Sequence, residues 1–176
     1  MFSTPSVNLT QFHIEPGMVV ADLGCGSGAY VFELQQRVGA TGKVIALDVQ
    51  KTLVEKLANE CKRNHVTNVT ALWDDLDDEN GIGLNDSSVD RVVIANTLFQ
   101  IEDTQKFSTE VRRILKPGGL ALIIDWSDSF KGLGPTPQHV MKRERALEIF
   151  QKAGFIHKKD VNAGDHHYGF VVQCNS

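Results

Sequence analysis

Several features are scarce in this sequence, and each scarcity argues against a class of protein. The 176 residues include only three cysteines, an odd and widely spaced set, which argues against a disulfide framework and favours a reducing compartment. No apolar run approaches the roughly 18 residues of a membrane span, and no signal-peptide pattern is visible. The formal net charge of -4 provides no support for nucleic-acid binding. We therefore expect a soluble, cytoplasmic protein.

The apolar content is sufficient for one domain. With 41% hydrophobic and 23% charged residues, the chain can bury a sizeable core without disulfides or a metal ion. We expect a single domain over residues 1–176. Within it, residues 1–17 are polar and interrupted by Pro5 and Pro16, so we interpret them as a lead-in segment with one helical turn near residues 9–13.

A glycine-rich stretch, MVVADLGCGSGAYV at residues 18–31, has the pattern of a ligand site. Its first residues form an apolar run typical of a buried strand over 18–23. Gly24, Gly26 and Gly28 then allow a tight turn with backbone close to a ligand, and a helix is predicted over 29–38. A ligand there would meet the N-terminus of that helix, where free backbone N–H groups carry partial positive charge.

Strand-like and helix-like segments alternate along the rest of the chain. Two strands at the end are too close for a crossover helix and predict an antiparallel hairpin. The predicted fold is therefore α/β, with a doubly wound, mostly parallel seven-stranded sheet, helices on both faces and a C-terminal antiparallel hairpin. The predicted strands are 18–23, 43–48, 69–73, 90–95, 120–125, 155–161 and 168–174, and the main helices are 29–38, 53–64, 103–115 and 136–153. A KPGG turn at 116–119 precedes the fifth strand.

Acidic residues follow most of the parallel strands where those strands end. Asp22, Asp48, Asp75 and Asp125 each lie at, or just beyond, the carboxyl end of a predicted strand. Open parallel sheets bind their ligands beyond the carboxyl ends of the strands, close to the point where strand order reverses. Such a rim of carboxylates suits a ligand that carries hydroxyls, an amine or a cation.

With these motifs the chain resembles the class I, Rossmann-like S-adenosylmethionine-dependent methyltransferases over nearly all of its length. The segment DLGCGSG at 22–28 is similar to the acid-x-Gly-x-Gly-x-Gly loop of that family, and Asp48 and Asp75-Leu76 follow its second and third strands. VDRVV at 89–93 and KPGG at 116–119 are similar to the fourth strand and to the turn before the fifth. The resemblance implies methyl transfer from S-adenosylmethionine by in-line displacement.

Carried over by position, the resemblance also implies a set of cofactor contacts. The backbone at Gly24 to Gly26 would lie against the methionine part, and Asp48 would bind both ribose hydroxyls. Asp75 would face the adenine amino group, Leu76 or Val49 would pack on the ring, and Asn96 would lie near the sulfonium. The implied cofactor-binding residues are Asp22, Gly24, Cys25, Gly26, Gly28, Asp48, Val49, Asp75, Leu76 and Asn96.

Two alternative functions remain open at this point. Gly24-x-Gly26-x-x-Ala29 also satisfies the NAD(P) dinucleotide fingerprint, and Asp48 lies near the distance expected of its ribose acid. Against that interpretation, Asp22 would place a negative charge beside a pyrophosphate, which is unfavourable for an anion and favourable for a sulfonium or an ammonium. The third hypothesis is a S-adenosylmethionine-binding module without transferase activity.

The acceptor side is less defined by the sequence. Trp126, Asp125 and His139 are candidate substrate residues, with Asp125, His139 and His166 as candidate bases if the acceptor requires one. Alignment and exclusion of water can suffice for this reaction, so no catalytic residue is assigned. We also expect the loop 126–135 to help close the site. The adjacent pair His166 and His167 is expected to be exposed to solvent rather than to bind a metal.

The acceptor is expected to be a small molecule. No Asn/Asp-Pro-Pro-Tyr-like sequence follows the fourth strand, where ANTL stands at 95–98 instead, so methylation of DNA bases is not indicated. The short lead-in segment leaves the cofactor face open in this interpretation. A second copy of the chain or another partner is the expected cover.

Overall fold

A seven-stranded sheet forms the centre of the protein in the computed structural model, which describes residues 4–130 and 132–175. Two short 3-10 turns, Leu98–Gln100 and Pro137–His139, follow the fourth and fifth strands along the chain. In chain order the elements are α1 (Pro5–Thr10), β1 (Val19–Leu23), α2 (Val31–Val38), β2 (Lys43–Asp48), α3 (Lys51–Arg63), β3 (Val69–Trp73), β4 (Val89–Ala95), α4 (Thr104–Ile114), β5 (Leu115–Trp126), α5 (Arg143–Lys152), β6 (Phe155–Val161) and β7 (His167–Cys174).

The strand order is β3-β2-β1-β4-β5-β7-β6. The first five strands of this order are parallel, whereas β7 is antiparallel to both β5 and β6. The predicted fold class, including the terminal hairpin, is confirmed. Because successive strands extend the sheet in one direction from β1 and in the other from β4, the order reverses between these two strands.

Helices cover both faces of the sheet because the strands alternate apolar side chains between two core layers. In one layer, Phe107 of α4 and Phe150 of α5 pack against strand residues such as Ile123. In the other layer, Leu34 of α2 and Leu57 of α3 belong to one cluster with strand residues such as Val44. The central strands are buried on both sides, which explains why they appear in the sequence as continuous apolar runs rather than as alternating ones.

The predicted helix over 136–153 is wrong in its first half. Thr136 and Pro137 do begin a helical turn, but it ends at His139, and α5 begins only at Arg143. Between them Lys142 has an extended backbone, and Met141 packs against the core. Core packing of this connection has replaced the helical conformation that local propensity favours.

The predicted KPGG turn lies inside a longer strand than expected. β5 begins at Leu115, not at residue 120, and pairs Leu115 with Val89 before it pairs Leu120 with Arg91. The four residues of the turn therefore lie opposite Asp90 alone, as an irregularity in the register of the two strands. The first helix is also displaced, since α1 covers Pro5–Thr10 and not residues 9–13.

No helix in the described ranges has the length and apolar composition needed to cross a bilayer.

Candidate functional site

A cavity of about 400 Å³ lies at the carboxyl ends of the parallel strands, where the strand order reverses between β1 and β4. This is the position at which open parallel sheets bind their ligands. The side chains around it come from the glycine loop after β1, the ends of β2 and β4, and the loop after β3. The lining residues are Asp22, Gly24, Cys25, Gly26, Ser27, Ala29, Tyr30, Asp48, Val49, Gln50, Asp75, Leu76, Asp77, Ala95, Asn96, Thr97, Gln100 and Ile101.

The three glycines of the loop meet three different constraints. All have positive φ, a conformation that favours glycine. A Cβ on Gly24 would lie 2.4 Å from the Thr97 hydroxyl oxygen, and one on Gly28 would lie 2.8 Å from a methyl of Leu57. A Cβ on Gly26 would meet no protein atom within 4 Å. Gly26 therefore faces the cavity, whereas Gly24 and Gly28 permit close packing of the chain.

The Asp22 carboxylate is buried at the base of the cavity, with 2% of the residue exposed. Its Oδ2 atom has no hydrogen-bond partner among the described residues. Burial and the nearby Asp48 carboxylate raise the pKa of Asp22 to about 7. The first effect is loss of water around the charge and the second is repulsion by Asp48; no basic side chain in the described lining offsets either, and a cationic ligand would supply the opposite charge.

Asp48 holds the glycine loop and the start of α3 together. One of its carboxylate oxygens accepts the Gly26 N–H and the other accepts the Gln50 N–H, each at 2.8 Å. A carboxylate has about four lone-pair positions, so both oxygens can still accept from ligand hydroxyls. The carbonyl of Val49 is in turn fixed by the indole N–H of Trp73 at 2.8 Å.

Two further segments complete the wall. After β3, the Asp75 carboxylate accepts the Asp77 N–H at 3.0 Å, and Leu76 is buried. After β4, Asn96 has a left-handed backbone with φ 57°, and its side-chain oxygen is buried without a partner among the described residues. Non-glycine residues adopt this conformation infrequently, and such residues concentrate at functional sites.

The cavity brings together nine of the ten residues implied by the family resemblance, all except Gly28. Sequence reasoning missed further lining residues, among them Tyr30, Thr97 and Gln100. Thr97 follows β4 directly, so the strand-end rule that selected Asn96 could have found it. Tyr30 and Gln100 carry no such signal, because their places depend on how α2 and the 3-10 turn after β4 pack.

The three acceptor candidates do not line this cavity. Asp125 is fully buried and is bonded to backbone N–H groups, including that of Phe99 at 3.1 Å. Trp126 packs against the ring of His167, with centroids 4.2 Å apart, and against Gly134. His139 bonds the hydroxyl of its own turn residue Thr136 at 2.7 Å.

The expected exposure of the histidine pair is wrong for His167. This residue is buried, and desolvation lowers its pKa. His166 is half-buried and contacts the Asp128 carboxylate at 3.0 Å. The strand register explains the difference, because β7 begins at His167 and directs its ring toward Trp126 on β5.

Charge is the property that distinguishes the cavity. Its described lining contains four carboxylates, those of Asp22, Asp48, Asp75 and Asp77, and no lysine, arginine or histidine. The Cys25 thiol stays protonated, because burial and then the charges of Asp22 and Asp48 raise its pKa to about 12. The site is thus suited to a ligand with positive charge and several hydroxyls, and it is poorly suited to a pyrophosphate.

Comparisons with known proteins also point to a methyltransferase. The family model described as a methyltransferase domain matches residues 14–162. The crystal structure of a S-adenosylmethionine-dependent methyltransferase from Aquifex aeolicus superimposes with a TM-score of 0.89 and 30% identity, over 98% of this chain and 90% of that one.

Curated relatives include two whose names refer to quinones. The ubiquinone/menaquinone biosynthesis C-methyltransferase UbiE of Hydrogenovibrio crunogenus is 32% identical over 65% of this chain and 44% of its own length. The 2-phytyl-1,4-naphtoquinone methyltransferase of Nostoc punctiforme is 33% identical over 62% of this chain and 47% of its own length. The chain thus spans less than half of either relative. On the family model, the fold and the Aquifex structure, it belongs to the class I S-adenosylmethionine-dependent methyltransferases.

Proposed function

We propose that this chain transfers the methyl group of S-adenosylmethionine to a small-molecule acceptor. The observation that carries the proposal is the charge of the cavity, in which Asp22 is buried without a cation and the described lining offers no basic side chain. A sulfonium and an ammonium group would be stabilised there, whereas the phosphates of NAD would be repelled. The dinucleotide alternative is disfavoured on the same ground.

Different residues would hold different parts of the cofactor. Asp22 offers a carboxylate to the positively charged end, and Asp48 offers free lone pairs to the ribose hydroxyls. Leu76 and Val49 supply apolar surface beside Asp75 for the adenine. S-adenosylmethionine, when bound, supplies an already activated methyl group. The protein then has to align the acceptor and exclude water, and a hydroxylated acceptor must also lose a proton, either to solvent or to a base.

The acceptor class is supported by the relatives. One is named as a C-methyltransferase of ubiquinone and menaquinone biosynthesis and another as a naphtoquinone methyltransferase, which makes a hydroxylated aromatic ring the first acceptor to test. The cavity of about 400 Å³ is in the usual range for small-molecule sites and would hold the cofactor. A second copy of the chain or a partner over the cofactor face stays a prediction, as does the single-domain organisation over residues 1–176.

The test is calorimetric titration of the full chain with S-adenosylmethionine, S-adenosylhomocysteine and NAD. Binding of the first two without binding of NAD supports the proposal, and the reverse contradicts it. Release of S-adenosylhomocysteine is then measured with 1,4-naphthohydroquinone, catechol and glycine as acceptors. Tight binding without turnover on any acceptor would favour the non-catalytic module.

A further inference from the structure

Asp125 is a buried carboxylate that the proposed function leaves without a role. It lies at the end of β5 with 0% of its surface exposed. Its Oδ2 accepts the Phe99 N–H at 3.1 Å and its Oδ1 accepts the Trp126 N–H at 2.7 Å, while the Leu98 N–H also acts to lower the pKa of Asp125. Burying a carboxylate costs free energy that a neutral side chain of the same shape would not incur. An isolated structural role therefore explains its presence poorly.

The contacts of Asp125 connect it to the wall of the cavity. Leu98 and Phe99 begin the 3-10 turn after β4, and the first N–H groups of such a turn need an acceptor. Thr97 precedes the turn but provides no side-chain cap. Its hydroxyl lies instead within 3.4 Å of the carbonyl oxygens of Leu23, Gly24 and Ala95. Asp125 thus caps the turn from the neighbouring strand.

The capped turn forms one side of the ligand site. Asn96, Thr97, Gln100 and Ile101 all line the cavity, and they flank or end this turn. The Gln100 side-chain amide also donates to the Asn96 carbonyl at 3.1 Å, which ties the two ends of the segment together. A change in the position of the turn would therefore change the shape of the wall that faces the glycine loop.

We propose that Asp125 is a positioning residue, whose buried carboxylate holds the segment Asn96 to Ile101 in the shape that receives the cofactor. This corrects its sequence-based assignment as a substrate residue or base. The inference rests on the proposed function. A carboxylate is required because each of its two oxygens accepts a backbone N–H, that of Phe99 and that of Trp126. In an asparagine the amide NH₂ would face one of those donors, and a hydrogen bond would be replaced by repulsion.

The experiment compares Asp125→Asn with Asp90→Asn in the full chain, with S-adenosylhomocysteine as the probe. Asp90 is the matched control, because it accepts the Val19 N–H at 2.8 Å at the opposite end of the strands, away from the cavity. For Asp125→Asn we expect a rise in Kd of at least about tenfold, since hydrogen bonds to a charged group are lost. We also expect faster amide exchange at Leu98 and Phe99.

The control distinguishes an effect on ligand binding from a general loss of stability. Asp90→Asn is expected to lower the melting temperature and to leave the Kd unchanged. A Kd for Asp125→Asn within twofold of the wild-type value, with unchanged exchange at Leu98 and Phe99, would overturn the inference. If this variant does not fold, Asp125→Ser, which keeps one acceptor oxygen, is measured in the same way. If the wild-type chain does not bind the probe, the proposed function fails, and amide exchange in the variants still tests the cap.

Discussion

At the scale of single residues, the glycine loop shows that a repeated motif can satisfy unrelated requirements. Gly24, Gly26 and Gly28 share a positive φ, yet only Gly26 has open space where a side chain would project. The motif is therefore partly a binding feature and partly a packing feature. Sequence reasoning treated all three as ligand contacts, because spacing alone does not reveal what each missing side chain would meet.

We predict opposite consequences for Gly26→Ala and Gly28→Ala. Both replacements strain the backbone by about 1–2 kcal/mol. At Gly26 the added methyl projects into the cavity, so we expect the main effect to be weaker binding of S-adenosylhomocysteine, with a smaller loss of stability. At Gly28 it meets the buried Leu57, so the melting temperature falls more than the affinity does. Calorimetric titration and thermal denaturation measure the two effects, and equal behaviour of the two variants would contradict this division.

The raised pKa of Asp22 predicts that the affinity for S-adenosylmethionine depends on pH. This pKa is about 7 in the unliganded protein, whereas a cationic ligand favours the ionised form. Binding below pH 7 must therefore release a proton, and we expect the Kd for S-adenosylmethionine to rise as the pH is lowered from 8 to 6. In Asp22→Asn the Kd should be higher at pH 8 and should lose most of this dependence. An equal pH dependence in both proteins would exclude Asp22 as the titrating group.

Asp48→Asn tests the opposite end of the cavity. The amide keeps an acceptor oxygen for only one of the N–H groups of Gly26 and Gln50, and it also loses carboxylate lone pairs available to ribose hydroxyls. The Kd for S-adenosylhomocysteine is expected to rise by about tenfold or more. The Kd for adenine alone serves as the control and should change little. An unchanged Kd for S-adenosylhomocysteine would remove the ribose role of Asp48.

At the scale of elements, the loop between β3 and β4 is attached to α4 rather than free. The Arg113 guanidinium donates to the carbonyls of Leu84 and Ile82 at 2.8 and 2.7 Å, and it pairs with Asp86 and Glu110. Glu110 in turn accepts the Ile82 N–H at 2.9 Å. These contacts explain how the loop can hold one side of the cavity in place.

Arg113→Met is predicted to loosen this loop. Loss of the guanidinium leaves the carbonyls of Leu84 and Ile82 without their donor and should lower the free energy of unfolding by about 2 kcal/mol or more. Since Asp75 and Leu76 belong to the same loop, the Kd for S-adenosylhomocysteine should also rise. Arg112→Met is the control on the same helix, because Arg112 donates to the Ala153 carbonyl instead. We expect it to affect stability alone, as measured by urea denaturation and calorimetry.

The elements predicted well are those whose core pattern and end signals agree. The bounds of β2 and β3 match the prediction, and α4 begins after Asp103, whose side chain accepts the Lys106 N–H at 2.9 Å as an N-cap. The long helix over 136–153 failed because Thr136 and Pro137 signal where a helix starts, not how far it continues. The break depends on Met141 reaching the core, which is a contact between distant parts of the chain.

At the scale of the whole molecule, two buried carboxylates make stability depend on pH. Asp22 has a pKa of about 7 and Asp125 a pKa of about 6 in the folded protein, both raised by burial from an ordinary value of 3.8. Between pH 4 and pH 7 these two groups therefore bind more protons in the folded state than in the unfolded state. The contribution of these two groups to the free energy of unfolding decreases as the pH rises through this window.

We predict how the free energy of unfolding differs between Asp22→Asn and the wild-type protein, both without ligand. The two should have similar free energies of unfolding at pH 4, and the variant should become the more stable one as the pH approaches 7. Taking the difference removes the opposite contribution of His167, whose lowered pKa favours folding as the pH rises. Urea denaturation at pH 4, 6 and 8 measures it, and a difference that does not change with pH would contradict the raised pKa of Asp22.

The sequence by itself determined the fold class, the glycine loop and the acidic strand ends. These depend on local period, on turn-forming residues and on the general rule that parallel strands present their carboxyl ends at one edge. Only the tertiary structure decided which residues share the cavity. Asp125 lies at the end of a strand as Asp22 does, yet it bonds the backbone of a neighbouring turn, whereas Asp22 lines the cavity without a cation. The physical reason is that the partner of a buried charge is set by packing between elements distant in sequence.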